Sequence, residues 1–322
     1  MKIVLLTTSS IALPSLVKIR EHGDLHALYT TDPLPQDAPD LQQFAAAHGI
    51  PFLAVSKARL EEELLTFTLL HPDHLVLCIG FSWKLPASLL PDANRVYNIH
   101  FSLLPRYAGP VPLFWQIRNG DRRGGITIHR MTGRFDAGPV AARQEIALMP
   151  GENYGLYSAR LSLAAAALVL SLIEAGSSGQ WPAETAQDLH HRSYQRRPAQ
   201  NDLVIDWKQK ADAVEALVNA CNPIAGGART YFRGLPLQVL EVSPADGRMK
   251  SPAGTIVHAD AAQGLFVCCG DGGLLRINIA RMPEGTFSGT KLVALGFGRG
   301  ERFGEAQPAA QPRITTAIHS SL

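Results

Sequence analysis

The sequence predicts an α/β fold, in which a mainly parallel sheet covered by helices is followed by a smaller β-barrel domain. Apolar runs of strand length alternate with helix-like segments through the first half of the chain. Near-continuous apolar strands of this kind are typical of parallel sheets that are buried on both faces. The second half carries short strands punctuated by glycine and proline, which is the pattern of a small barrel. A length of 322 residues is sufficient for both domains.

The elements predicted for the first domain alternate in order along the chain. Its strands are expected at KIVLLTT, LHALYTT, IPFLAV, HLVLCIG, RVYNIHF, GITIHRM and AARQEIAL. Its helices are expected at ALPSLVKIREHG, PDLQQFAAAHG, KARLEEELLTFTLL, PLFWQIRNG and NYGLYSARLSLAAAALVLSLIEAG. The apolar centre of the last helix, residues 161–173, is shorter than the roughly 20 residues that span a bilayer. We therefore expect a buried helix and no membrane contact.

The second domain is predicted to begin after a polar, basic stretch. One helix is expected in DWKQKADAVEALVNACN, and strands are expected at YFRGLPLQVLEV, GTIVHA, GLFVCCGDGGLLRINIA and KLVALGFGRGERF. The predicted organisation is a catalytic domain at 1–180, a linker at 181–202, a barrel at 203–305 and a loose tail at 306–322.

Composition excludes several classes of function. A net charge of +2 is too small to indicate a nucleic-acid partner. The four cysteines show no C-x-x-C spacing, which indicates reduced thiols in the cytoplasm. The first strand leads into TTSSIALPS, so the glycine-rich fingerprints of dinucleotide and P-loop sites are absent there. No metal motif is recognised, and no metal is expected.

Three polar residues are the candidate catalytic group. Asn98 and His100 lie one residue apart at the end of RVYNIHF, so an extended strand directs both to the same face. Pro105 follows and places the pair near the exit of the strand. Asp136 lies in a glycine-flanked loop between two predicted strands. Such loops gather at one edge of an open α/β sheet, where ligands bind.

The stretch NIHFSLLPRYAG, followed by GITIHRMTGRFDAG, resembles the formyltransferase family that uses 10-formyltetrahydrofolate. The likeness continues in RRPAQNDLVIDW, ACNPIAGGARTYFRGLPLQV and CCGDGGLLRI, which resemble the C-terminal barrel of the members that act on methionyl-tRNA or arabinose amine. The resemblance implies a Rossmann-like catalytic domain, an OB-like barrel and a catalytic trio at Asn98, His100 and Asp136.

The chemistry of formyl transfer suits these three residue types. An amine attacks the formyl carbon, and negative charge develops on the formyl oxygen, where fixed donors stabilise it. The Asn98 amide can donate, and His100 can donate if it is protonated. We expect Asp136 to favour the imidazolium form of His100 and to accept the proton of the amine, directly or through water.

The resemblance also implies where folate and the acceptor bind. The folate-binding residues are expected to be Phe81, Ser82, Trp83, Lys84, Leu85, Ser102, Leu103, Leu104, Pro105, Thr132, Gly133, Arg134 and Phe135. The residues that contact the acceptor are expected to be Thr8, Ser9, Ser10 and Tyr107.

Departures from the family pattern indicate a changed acceptor. The stretch TTDPLPQDAPD carries three aspartates and no Lys or Arg, where the tRNA enzymes have a longer Gly- and Lys-rich loop. Ala108 and Pro110 stand where relatives carry arginines. We therefore expect a small-molecule amine, such as an amino-sugar nucleotide, an amino acid or a peptide-like intermediate. Methionyl-tRNA, a non-catalytic folate-binding role and hydrolysis of formyl-folate are the alternatives.

Overall fold

The computed structural model describes residues 1–91 and 94–304, and the chain divides into two compact units. The first unit contains Met1–Asp202 and Asn219–Ile224. The second contains Leu203–Val218 and the described residues from Ala225 onward. The tail expected at 306–322 lies outside the described residues.

The first unit is built on one sheet whose strand order is β3-β2-β1-β4-β5-β6-β7. Its strands are β1 (Lys2–Leu6), β2 (Asp24–Thr31), β3 (Phe52–Val55), β4 (His74–Ile79), β5 (Val96–His100), β6 (Arg123–Arg130) and β7 (Val140–Ala147). The pairings among β1 to β5 are parallel, whereas β6 and β7 add antiparallel strands at one edge. The predicted mainly parallel, Rossmann-like sheet is confirmed.

Helices cover this sheet, and two of the five begin at a side-chain cap. They are α1 (Leu13–His22), α2 (Ala38–Ala47), α3 (Lys57–Leu70), α4 (Pro112–Arg118) and α5 (Tyr154–Ser177). Ser56 and Asn153 precede α3 and α5, and each side chain accepts a backbone N–H of the first turn. The core includes the fully buried residues Ile3 to Leu6 of β1.

Helix α5 is long and apolar enough to cross a membrane by length and composition, and it is the one such helix among the described residues. The helix nevertheless has one buried face and one exposed face. Leu161, Ala165 and Val169 are fully buried in the first unit, whereas the Leu163 side chain is 66% exposed. The core helix of a globular domain meets the same criteria of length and composition.

The second unit is an antiparallel sheet in the order β10-β11-β12-β9-β8-β14, with β13 paired to β12. Its strands are β8 (Ala228–Phe232), β9 (Leu235–Arg248), β10 (Ile256–Asp260), β11 (Gly264–Cys268), β12 (Gly273–Met282), β13 (Gly285–Ser288) and β14 (Phe303–Gly304). Its helices are α7 (Gly289–Ala294) and α6 (Ala211–Cys221), of which residues 219–221 are counted with the first unit. The predicted class of this domain, a small barrel-like β domain, is confirmed.

One predicted element of the second unit is wrong in detail. KLVALGFGRGERF was expected to be strand, but its first residues belong to α7 and only Phe303 and Gly304 form a short strand. The Ser288 side chain accepts the N–H of Lys291 and so caps a helix that begins just before this stretch. Helix α6 lies within the stretch DWKQKADAVEALVNACN, as expected, and a local turn in which the Asp206 carboxylate accepts the N–H of Lys208 precedes it.

Candidate active site

Asn98 and His100 face one cavity of the first unit, which has a volume of about 470 Å³. Both residues lie on β5, where side chains two positions apart point to the same side of the sheet. The ends of β1 and β4 open onto the same cavity, since Thr8 and Phe81 also line it. This arrangement is the carboxyl edge of a parallel sheet, where ligands of open α/β folds bind.

Asp136 reaches this cavity from the loop between β6 and β7. Its backbone has a φ of +50°, which is an uncommon, left-handed conformation for a residue other than glycine. Asp136 Oδ1 lies 3.8 Å from Nδ1 of His100, and Oδ2 accepts the N–H of Gly109 at 2.8 Å. The structure therefore brings the three predicted catalytic residues together.

The Asp136 carboxylate is charged. Burial alone would raise its pKa, but His100, His129 and the N–H of Gly109 hold that pKa far below the ordinary value of 3.8. A carboxylate with so low a pKa is a weak base, so it stabilises a neighbouring positive charge better than it accepts a proton.

Asp136 favours the imidazolium form of His100, as expected, but burial favours the neutral ring more strongly, so the ring is mainly neutral at pH 7. Burial lowers the pKa of His100 below its ordinary value of 6.5 and outweighs Asp136 and the carbonyl of Tyr107, which act in the opposite direction. His100 Nε2 lies 2.9 Å from Tyr107 O, a group that can only accept, so Nε2 carries the hydrogen. The lone pair is then on Nδ1, on the side of Asp136.

Sequence reasoning did not select His129, which contacts two of the three residues. His129 lies on β6 directly opposite Asn98 on β5, and the Asn98 Nδ2 atom is 3.1 Å from His129 Nε2. His129 Nε2 is also 3.7 Å from Asp136 Oδ1. The strand alternation in GITIHRM could have indicated His129, because it places this histidine on one face with alternate buried residues.

The residues expected to bind folate are divided between two cavities. Phe81, Ser82 and Phe135 line the catalytic cavity. Trp83, Lys84, Leu85 and Gly133 line a second cavity of about 420 Å³. Thr132 and Arg134 line neither, although they belong to the same β6–β7 loop.

The stretch Ser102–Pro105 lines neither cavity, and its hydrogen bonds order the chain beside the site. The Ser102 hydroxyl donates to the carbonyl of Arg106, and the N–H of Leu104 donates to the Thr127 hydroxyl. Leu103 is partly buried and Leu104 is fully buried. The side chain of Tyr107 is also turned away from the cavity lining, while its carbonyl accepts from His100.

The loop after β1 contributes Thr8 and Ser9 to the catalytic cavity, whereas Ser10 stands outside the lining. Asp37 holds this loop, since one of its oxygens accepts the hydroxyls of Ser9 and Ser10 and the N–H of Ser10. The acidic stretch 30–40 therefore orders the loop that was expected to face the acceptor.

Several residues that were not selected as site residues from the sequence also line the catalytic cavity, among them Tyr154, Tyr194, Arg197 and Ile224. Tyr194 and Ile224 are unusually exposed for apolar residues. Arg197 is exposed, and no carboxylate of the described residues forms an ion pair with it. Within the described ranges no group of three or more His, Cys, Asp or Glu residues has the geometry of a metal site.

Comparisons with known proteins agree with this architecture. The sequence profile described as "Formyl transferase" matches residues 18–173, and that described as "Formyl transferase, C-terminal domain" matches residues 199–293. A methionyl-tRNA formyltransferase of Geobacter metallireducens is 32% identical over 282 residues, which cover 85% of this chain and 89% of that protein.

Solved structures resemble the same fold. The N-formyltransferase of Helicobacter canadensis, solved with folinic acid and dTDP-3-aminofucose, has a TM-score of 0.66 and 14% identity, and the match covers 85% of this chain and 98% of that one. HypX of Aquifex aeolicus in complex with tetrahydrofolic acid has a TM-score of 0.63 and 18% identity, with 96% of this chain and 49% of that one covered. At these identities the likeness concerns the fold.

Proposed function

Because the chain belongs to the formyl transferase family, we propose that it transfers a formyl group from 10-formyltetrahydrofolate to a primary amine of a small molecule. The observation that supports this most strongly is the convergence of Asn98, His100 and Asp136 on one cavity. A donor, a neutral base and a fixed carboxylate are the groups that attack of an amine on a formyl carbon requires.

The shape of the site supports folate as the formyl donor. The loops 81–85 and 132–136 contribute to both cavities, so the two cavities adjoin. The rings of Phe81 and Trp83 meet edge to face with centroids 5.8 Å apart, and Lys84 Nζ lies 5.8 Å from the ring centre of Phe135. These aromatic walls suit a long ligand with a pterin and an aminobenzoyl ring. Two structural neighbours were solved with folates.

In the proposed reaction, the amine attacks the formyl carbon that folate carries on N10. Asn98 donates an N–H to the formyl oxygen as that oxygen becomes negative, while its other N–H remains on His129. His100 accepts the proton of the attacking amine at Nδ1, the atom that carries the lone pair. The C–N bond to the acceptor forms, the C–N10 bond breaks, and His100 returns the proton to N10.

Asp136 makes this proton transfer favourable. When His100 becomes an imidazolium, the charged carboxylate 3.8 Å from Nδ1 stabilises the new positive charge. The hydrogen bond from Gly109 keeps the carboxylate in place throughout. His100 is therefore the proton-transfer group and Asp136 its electrostatic partner.

Two features of the cavity support a small-molecule acceptor. Asp37 holds the loop of Ser9 and Ser10, and its negative charge disfavours a phosphodiester backbone at this entrance. Arg197 offers one cation at the cavity, which suits an acceptor that carries an anionic group, such as a nucleotide-linked amino sugar or an amino acid.

We assign catalysis to residues 1–180, a linker to 181–202 and a supporting barrel to 203–305, and we propose that the reaction takes place in the cytoplasm.

Methionyl-tRNA is the second candidate acceptor. It is favoured by one observation, namely that the curated relatives at about 30% identity are named methionyl-tRNA formyltransferases. Binding of tRNA would depend steeply on salt, because neutralised phosphates release counterions.

Thermal denaturation with 5-formyltetrahydrofolate, a stable mimic of the donor, tests the choice of folate. A ligand that binds only the folded chain raises the melting temperature by mass action, so we expect a rise that increases with ligand concentration. Trp83→Ala should reduce this rise, since Trp83 lines the second cavity. An unchanged melting temperature at saturating ligand would remove folate from the proposal.

A further inference from the structure

We propose that Gln187 is a positioning residue for the reaction, and that it sets the place of the Asp136 carboxylate. Gln187 lies between the two matched sequence profiles, in the segment that follows α5. The proposal rests on the proposed function for its effect on turnover, but its structural part can be measured without turnover.

The loop that carries Asp136 needs external support. The left-handed φ of +50° at Asp136 is disfavoured for a side chain other than glycine, and such conformations persist only where the surroundings hold them. Two residues later, Gly138 comes so close to the carbonyl of Arg130 that even a Cβ atom would collide with it. The backbone at 136–138 is thus fixed in an unusual path.

The side-chain amide of Gln187 forms hydrogen bonds to two carbonyl groups of this loop. Its Nε2 atom donates to the carbonyl of Asp136 at 3.1 Å and to the carbonyl of Gly138 at 2.7 Å. Both partners are carbonyl oxygens, which can only accept, so the amide has one allowed orientation. Its Oε1 atom is buried without a hydrogen-bond partner among the described residues. The amide therefore forms its hydrogen bonds to the loop through its two N–H groups alone.

The segment 184–192, termed the strap, lies along the same loop. Thr185 and Val140 exchange both backbone hydrogen bonds, at 2.8 and 2.9 Å, as an antiparallel bridge beside β7. Further along the strap, Arg192 Nη2 donates to the carbonyl of Phe135 at 3.4 Å. The strap therefore contacts the loop before, at and after Asp136.

The backbone and the side chain of Asp136 are held by different parts of the chain. Gln187 holds the backbone carbonyl from the strap, and the N–H of Gly109 holds the carboxylate from the other side. Loss of the Gln187 amide frees the loop to relax from its left-handed conformation. The carboxylate then moves away from His100 and no longer stabilises the imidazolium, so proton transfer slows while the folate cavities keep their walls.

The central test is Gln187→Met, which keeps the length of the side chain but removes both donors. We expect kcat for formyl transfer to fall by about 10-fold or more, with the KM for 10-formyltetrahydrofolate within about twofold of the parent. Gln187→Glu is the second variant, because its carboxylate would face two carbonyl oxygens, and it should be impaired at least as strongly at pH 7.

Glu184→Gln is the matched control on the same strap. Glu184 accepts from Arg130 and from the Tyr97 hydroxyl and makes no bond to the Asp136 loop. This variant should lower the melting temperature because it weakens a nearly buried ion pair, yet it should leave kcat within about threefold of the parent. A merely structural role for Gln187 predicts that both variants lower stability and turnover alike.

An NMR titration of the His100 ring separates this proposal from the proposed function, because it needs no turnover. The ring is faced by Asp136 and His129, and its signals are assigned by their loss in His100→Asn. We expect the pKa of His100 to be lower in Gln187→Met than in the parent and unchanged in Glu184→Gln. A parental kcat or a parental pKa of His100 in Gln187→Met would overturn the proposal. If the parent transfers no formyl group, the proposed function fails, while a lowered pKa still establishes that Gln187 positions Asp136.

Discussion

A neutral imidazole beside a charged carboxylate is the chemical centre of the site at the scale of single residues. His100 is 6% exposed, and this burial keeps it ready to accept a proton at Nδ1. Asp136 stays ionised because three neighbouring groups stabilise its charge. In the proposed reaction, His100 moves the proton and Asp136 stabilises the positive charge that results.

The pH dependence of turnover tests this assignment. With saturating acceptor, kcat should be constant above pH 6.5 and fall as the pH is lowered through the depressed pKa of His100, because protonation removes the lone pair. If Asp136 were the base, His100→Asn would leave kcat and its pH profile close to those of the parent. His100→Asn should reduce kcat by about 10² or more at every pH.

His129 is expected to orient the Asn98 amide. His129→Leu removes the acceptor of the Asn98 N–H, so kcat should fall by about 10-fold. His129→Gln offers a carbonyl oxygen in its place and should recover most of that loss. Steady-state kinetics of the two variants check this, and equal kcat values for Leu and Gln would rule out the orienting role.

The sequence motif predicted that Asn98, His100 and Asp136 converge, but not their protonation or their partners. Asn98 and His100 share a face because strand side chains alternate, which a sequence reveals directly. His129 enters through strand pairing between β5 and β6, and Gln187 through a contact 51 residues distant in the chain. Such contacts depend on tertiary structure, as does the burial that lowers the pKa of His100.

At the scale of elements, the strand ends and loops of the first sheet make the site, and the helices support it. The strands and helices of this unit follow from apolar runs and caps, because local signals there agree with burial. The stretch after Ser288 shows the limit of such reasoning. Its glycine-rich sequence suggested another strand, but a single serine cap begins α7 there.

Helix α5 gives a direct test of whether its apolar surface faces the core or a membrane. Leu163→Lys changes a side chain that is 66% exposed and should alter the free energy of unfolding by less than about 0.5 kcal/mol. Leu161→Lys buries a charge at a fully buried position and should prevent stable folding. Urea denaturation of the two variants checks this, and a large loss in Leu163→Lys would contradict the two-faced helix.

At the scale of the whole molecule, an α/β unit and an antiparallel β unit occur in one chain, and each overlaps one of the two matched family profiles. The net charge of +2 is small, and the stretch 30–40 is acidic. A chain with this charge distribution should attract a compact acceptor more readily than a long polyanion.

Nucleic-acid binding should consequently be weak. We expect the dissociation constant for tRNA that carries no amino acid to be about 10⁻⁵ M or weaker at physiological salt, which is the range of non-specific association. Fluorescence anisotropy at several salt concentrations measures both the affinity and the slope. Submicromolar binding that survives 200 mM salt would support tRNA as the acceptor.

The central claim is tested most directly by a competition for the formyl group. The enzyme, 10-formyltetrahydrofolate, methionyl-tRNA and a set of nucleotide-linked amino sugars and amino acids are incubated together, and the formylated products are identified by mass spectrometry. The account predicts an N-formylated small molecule with stoichiometric release of tetrahydrofolate, formed about 10²-fold or more slowly by His100→Asn. Formyl-methionyl-tRNA as the main product would contradict it.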